Sequence, residues 1–123
     1  MIQYGLIYLA TPYSKYPLGI EKAFEHASAL TGKLLLKGAK VYSPIAHTHS
    51  VAIHANIDPL AHDIWLPHND AMLSVCDTLM IAMMIGWQES RGIAYEIDFF
   101  GAAEKRIIYL DPQTLEVILF PWL

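Results

Sequence analysis

Short apolar runs recur along this chain, each separated from the next by a stretch of helical period, and that alternation constrains the fold more than any other feature. Residues 2–10 (IQYGLIYLA) form the first run, rich in Ile and Tyr, and read as a buried strand. The prolines of TPYSKYP then break regular structure. From Leu18 the period becomes helical: Ile20, Ala23, Phe24, Ala27, Leu30, Leu34 and Leu35 share one face, and Gly38 stands where a helix C-cap glycine belongs. AKVYSPI is a second short strand, closed by Pro44. Residues 45–58 carry no clear period and read as a long loop with at most one helical turn.

A second helical pattern runs from about Leu60 to Cys76, with Asp58 as N-cap and Pro67 expected to kink or restart it. TLMIAMM (78–84) is a buried strand, IGWQESRG a loop, and Ile93 to about Lys105 a third helix with Ile97, Phe100 and Ala103 facing inward. RIIYL (106–110) is a fourth strand, DPQT a turn, and LEVILFPWL a last strand antiparallel to its neighbour. This order predicts one α/β domain over residues 1–123. It would be a doubly wound, flavodoxin- or Rossmann-like, mostly parallel five-stranded sheet with helices on both faces.

Composition narrows the class. At 54% hydrophobic and 16% charged residues the chain is far from disorder, and it has apolar material beyond one small core, so a homo-oligomer is expected. A net charge of −4 leaves no basic footprint for a nucleic acid polymer. The N-terminal apolar run of about nine residues falls short of the ~20 needed to span a bilayer, and it lacks a basic leader, so no membrane partner and a cytoplasmic location are expected. The single cysteine, Cys76, is expected to be a buried packing residue.

In open parallel sheets ligands bind beyond the carboxyl ends of the strands. Three polar and aromatic loops should lie there: Thr11–Pro17, Ile45–Asp58 and Ile85–Gly92. Thr11, Tyr13 and Ser14 open a helix, either as an anion-binding turn or as a capping turn. In SRGIAYEI, Ser90 and Gly92 begin the next helix and Glu96 lies one turn inside. There the positive helix end favours an ionised carboxylate, and such a group can attack a sugar anomeric carbon; the alternative is an ordinary first-turn glutamate. Asp70 stands mid-helix, where Asp has poor propensity, and Asp77 reads as a cap or turn residue. Five of the six histidines fall between positions 47 and 68, without an HExxH or comparable ligand spacing, so neither a metal nor another cofactor is expected.

IYLATPYS, HNDAMLSVCDTLM and SRGIAYEIDFFGAAEKRIIYL together resemble the nucleoside 2-deoxyribosyltransferase superfamily, most closely its small branch of DUF1937-type proteins. The resemblance covers nearly the whole chain, and Gly92, Glu96 and Ile97 carry its most specific element. It implies that Glu96 is a nucleophile, that Tyr8 holds it, and that Asp70 contacts the base and assists its protonation. Ser90 matches the position at which related monophosphate hydrolases use a serine for the 5′-phosphate, which implies a phosphorylated ligand. Trp87 or Tyr13 would stack on the base. The implied function is a nucleoside or nucleotide deoxyribosyltransferase or hydrolase. The alternatives are a nucleotide-binding or sensing module without catalysis, and a partner-binding protein that uses LFPWL as an oligomer contact.

Overall fold

The computed structural model describes residues 2–119. Its centre is an open five-stranded sheet built from β1 (Leu6–Ala10), β2 (Lys40–Tyr42), β3 (Thr78–Ala82), β4 (Arg106–Leu110) and β5 (Val117–Ile118). The spatial order is β2-β1-β3-β4-β5; every pair is parallel except β4 with β5. The chain thus adds β2 on one side of β1 and then crosses to add β3 on the other. The connections leaving β1 and β3 diverge at that reversal and open a crevice.

Side chains alternate along the two central strands and build one core on each face. Ile7 and Leu9 of β1 join Met80 and Ala82 of β3 against Ala23, Leu30 and Leu34 of α1 (Ile20–Leu36). Tyr8 and Ala10 join Leu79 and Ile81 against Leu73 of α3 (His62–Val75) and Ile93 and Phe100 of α4 (Arg91–Ala102). All five residues of β3 are buried, as expected of a strand covered on both faces. Gly38, at φ +89°, closes α1: its N–H donates to Leu35 O, and the next N–H donates to Leu34 O. Gly5 is needed for a different reason. At φ +65° it lets Asp77 approach, where a Cβ would stand 2.4 Å from Oδ2, and that oxygen accepts from Leu6 N–H at 2.8 Å. Asp77 is therefore the turn residue its position suggested, tying the start of β3 to β1. Cys76 is fully buried, and burial pushes its thiol up to about 11.

Several boundaries differ from the sequence reading. Residues 45–58 are mostly not loop: α2 spans Pro44–Ala55, capped by Ser43, whose hydroxyl accepts from Ala46 N–H at 3.1 Å, with Pro44 at the first position. Its buried face is Pro44, Thr48, His49 and Ala52, too polar to register as an apolar stripe. Helix α3 continues through Pro67 instead of restarting. Helix α4 begins at Arg91, and Ala103 and Leu35 are exposed rather than inward-facing. The final antiparallel strand is short; of LFPWL only Leu119 falls within the described residues, so the proposed contact there lies largely outside them. Among the described residues no helix is long and apolar enough to cross a membrane.

Candidate active site

A cavity of about 390 Å³ opens at the carboxyl ends of β1, β2 and β3. The β1–α1 connection contributes Thr11, Tyr13, Ser14 and Lys15, and the start of α2 contributes Pro44, Ile45 and Thr48. The opposite wall is α3, which turns His62, Trp65, Leu66, Asn69 and Leu73 towards the space at spacings of three and four residues. Helix α4 divides its surface. Ile93 and Phe100 face the sheet, whereas Ser90, Arg91, Gly92, Tyr95 and Glu96 line the cavity.

Glu96 meets Tyr8 inside this space. Tyr8 is fully buried on β1, and Glu96 reaches towards it from the second turn of α4. The two groups are close enough to shift each other's titration: burial first, then the Glu96 charge, raises the Tyr8 phenol far above its usual range. Burial pushes the Glu96 carboxyl up to about 8, and the Tyr8 hydroxyl only partly offsets this. The cavity leaves the Glu96 side chain some exposure, yet protein surrounds its carboxyl, and desolvation outweighs the favourable helix end. Burial thus opposes the ionised form that the helix end was expected to favour.

Unpartnered polar atoms mark the same walls. Among the described residues the buried side-chain oxygens without a hydrogen-bond partner are Tyr8 Oη, Thr11 Oγ1 and Asn69 Oδ1, and all three residues line the cavity. The Tyr8 hydroxyl is close enough to Glu96 to draw its pKa down, yet it sits outside normal hydrogen-bond geometry. Buried polar groups are nearly always satisfied, so three orphans on one cavity suit a polar ligand that supplies their partners. Lys15 and Arg91 stand on this lining with no carboxylate in ion-pair contact among the described residues, and α4 directs its N-terminus towards the space. The ends of the cavity therefore favour an anionic group.

A family model described as a domain of unknown function, DUF1937, matches residues 5–111. The chain belongs to that family. No curated protein matches it. All of the cavity wall, from Tyr8 to Glu96, lies within the DUF1937 span.

Of the residues singled out from sequence, the DUF1937 fold brings Tyr8, Thr11, Tyr13, Ser14, Ser90, Gly92 and Glu96 together on one cavity. Ser90 also caps α4, its hydroxyl accepting from Ile93 N–H at 3.2 Å. Two residues fall elsewhere. Asp70 lies one position off the inward stripe of α3 and accepts from the Tyr95 hydroxyl at 2.8 Å, so it stands behind Tyr95 and not on the cavity wall. Asn69 takes the inward place. Trp87, in the 3-10 turn Trp87–Glu89, packs on Tyr109 at 5.7 Å between ring centres, half-buried against the edge of the core and off the cavity lining. Trp65 is the tryptophan that lines the cavity, its indole N–H donating to Asp58 O at 2.9 Å. Sequence reasoning missed Asn69, Trp65, His62 and Lys15; the available signal was the spacing 62, 65, 66, 69, 73, a helical stripe too polar for core. His47 and His68 stack at 5.2 Å between ring centres beside Tyr42, but among the described residues no group of three His, Cys, Asp or Glu side chains is placed to hold a metal ion.

Proposed function

We propose that this cavity is the active site of an N-glycosidic-bond enzyme, a transferase or hydrolase acting on a nucleoside or nucleotide, with Glu96 as nucleophile. The facing of Glu96 and the buried Tyr8 hydroxyl inside a cavity at the strand ends carries this reading. Glu96 attacks C1′; the C1′–N electron pair leaves with the base, which takes up a proton, and a glycosyl ester remains. Water or a second base then attacks C1′ and returns the electron pair to the carboxylate. Tyr8 donates to the ionised carboxyl, stabilising the reactive form and satisfying its own hydroxyl. Lys15, Arg91 and the α4 N-terminus suit a 5′-phosphate. The architecture fits the doubly wound reading, with α1 on one face of the sheet and α3 and α4 on the other. Val51, Ile53, Ile64 and Leu66 remain exposed along α2 and α3, and a second copy of the chain covering them accords with a homo-oligomer.

The test is chromatographic detection of free base from a panel of ribo- and deoxynucleosides and their 5′-monophosphates, run beside Glu96→Ala. Base release that vanishes in the variant is expected; release that persists overturns the assignment. Because the reactive form is the carboxylate, kcat/KM should rise with pH through about 8.

The raised Glu96 pKa also favours a second reading, a nucleotide-binding module in which neutral Glu96 donates a hydrogen bond. It requires monophosphates to raise the melting temperature without turnover, and Glu96→Gln, which keeps a donor, to preserve the effect.

A further inference from the structure

Tyr13 faces the cavity from the β1–α1 connection, and a chain of two side chains leads from it to the surface. Its hydroxyl meets His49 Nδ1 at 2.5 Å, and His49 Nε2 meets Glu21 Oε2 at 2.9 Å. His49 is 3% exposed, held on α2 with Phe24 stacked on its ring at 4.5 Å, whereas Glu21, in the first turn of α1, is 66% exposed. A carboxylate only accepts, so Nε2 carries a hydrogen in either state of the ring. In the neutral ring Nδ1 accepts from Tyr13, and the phenol oxygen turns lone pairs to the cavity. In the imidazolium Nδ1 donates to that oxygen, and the phenol proton is free to donate into the cavity.

We propose that Tyr13, backed by His49 and Glu21, is the proton carrier of this site, acid to the departing base and base to the attacking water. The proposal rests on the glycosidic reading and fills the role that Asp70, off the cavity, does not. In the first step the phenol proton passes to the base nitrogen as that nitrogen takes the C1′–N pair, and the Nδ1 proton replaces it, leaving a neutral ring. In the second, the water oxygen bonds to C1′ and the Glu96–C1′ bond breaks with its pair returning to the carboxylate. The water's proton passes to Tyr13, whose own proton restores the imidazolium, so the cycle closes. Burial, then the charges of Glu21 and Asp58, hold the Tyr13 phenol at about 12, so it surrenders a proton only if another replaces it. His49 and Glu21 are positioning residues in this scheme.

The experiment measures base release by wild type, Tyr13→Phe, His49→Gln and Glu21→Gln across the nucleosides and monophosphates that the wild type cleaves. The 7-methylguanine substrates are included, since that base departs without a proton. The loss in Tyr13→Phe should grow with the basicity of the leaving nitrogen, to about 100-fold or more for the most basic, and stay within about threefold for 7-methylguanine. Glu21→Gln, a surface change that leaves the fold intact, should show the same trend at about tenfold even if His49→Gln fails to fold. A loss uniform across bases, or none, overturns the relay while a dead Glu96→Ala still supports the nucleophile. No release by the wild type from any substrate sinks the glycosidic reading and the relay with it.

Discussion

Among the described residues a hollow opens on each face of the sheet along its carboxyl edge, and the buried unpartnered oxygens line the smaller of these two. The hollow on the α1 face, about 670 Å³, is lined by Tyr16, His26, Lys33, Met84 and Asp111 among others. Three of its polar side chains are already bonded within the fold. Tyr16 and His26 share a hydrogen bond of 2.8 Å, and Asp111 accepts from Gln113 N–H at 2.8 Å and Thr114 N–H at 3.2 Å. Those bonds hold the Asp111 carboxyl below its usual value, as a turn-forming carboxylate should be. The hollow on the α4 face has little more than half the volume, yet it contains the unpartnered oxygens and a carboxyl raised to about 8. Volume therefore does not distinguish a site from a groove in this molecule. What distinguishes it is polar chemistry left unfinished by the fold, which a ligand must complete.

The largest expected effect separates the hollows by activity. Glu96→Ala should lower base release by roughly 10⁴ or more, the scale of losing a nucleophile, while Lys33→Ala in the larger hollow should leave it within about twofold. A comparable loss in Lys33→Ala would mean that the wrong hollow has been chosen. The next effect is on stability, and its sign differs between the two carboxyls. Glu96 has a raised pKa when folded, so its contribution is fully present below the unfolded value of 4.5 and is lost as pH rises through about 8. Denaturant titrations from pH 5 to 9 should show a decline on the order of 3–5 kcal/mol that Glu96→Gln removes. Asp111 has a lowered pKa, so its contribution is present above 3.8 and is lost as pH falls through the folded value. Asp111→Asn should flatten the acid limb of the same titration and leave the alkaline limb untouched.

A finer comparison lies within α3. Asn69 faces the cavity with an unpartnered oxygen, and Asp70 beside it is bonded to Tyr95. Asn69→Ala should cost about 10-fold in kcat/KM, the worth of one hydrogen bond to a ligand, and Asp70→Asn no more than about threefold. The reverse order would restore Asp70 to the cavity in the bound state.

How far the chain could be read in advance follows from which signals are local. The buried runs LIYLA, TLMIA and RIIYL identified the central strands because a strand covered on both faces is apolar at every position. The placement of Gly92 and Glu96 at the strand ends was legible because a helix start beyond a buried strand has few possible places in an open parallel sheet, whereas Tyr8 was singled out only by the resemblance. Helix α2 was not legible, because its buried face includes Thr48 and His49, which no apolar period reveals. Asp70 was misplaced for a geometric reason: one residue is 100° of helix, so the spacing that puts Asn69 on the wall takes Asp70 off it. The upward push on the Glu96 pKa was not legible because the helix end is visible in sequence, whereas the desolvation that opposes it depends on packing between β1 and α4.

The smallest expected effect tests the contrast most directly, because it asks the same substitution to act with opposite signs. Tyr16→Phe removes a hydroxyl that is bonded to His26, and should destabilise the protein by about 1 kcal/mol. Tyr8→Phe removes a buried hydroxyl whose contact with Glu96 falls outside normal hydrogen-bond geometry, so it should stabilise by about 1 kcal/mol while lowering turnover. The same change should move the rising limb of the kcat/KM profile to higher pH, since the Tyr8 hydroxyl is what draws the Glu96 pKa down. Equal destabilisation by both variants in urea titrations would mean that Tyr8 is already satisfied in the free protein, and the two hollows would then differ only in shape. Stabilisation by Tyr8→Phe together with lost turnover would identify its hydroxyl as a group the fold carries at a cost in order to hold Glu96 once it ionises.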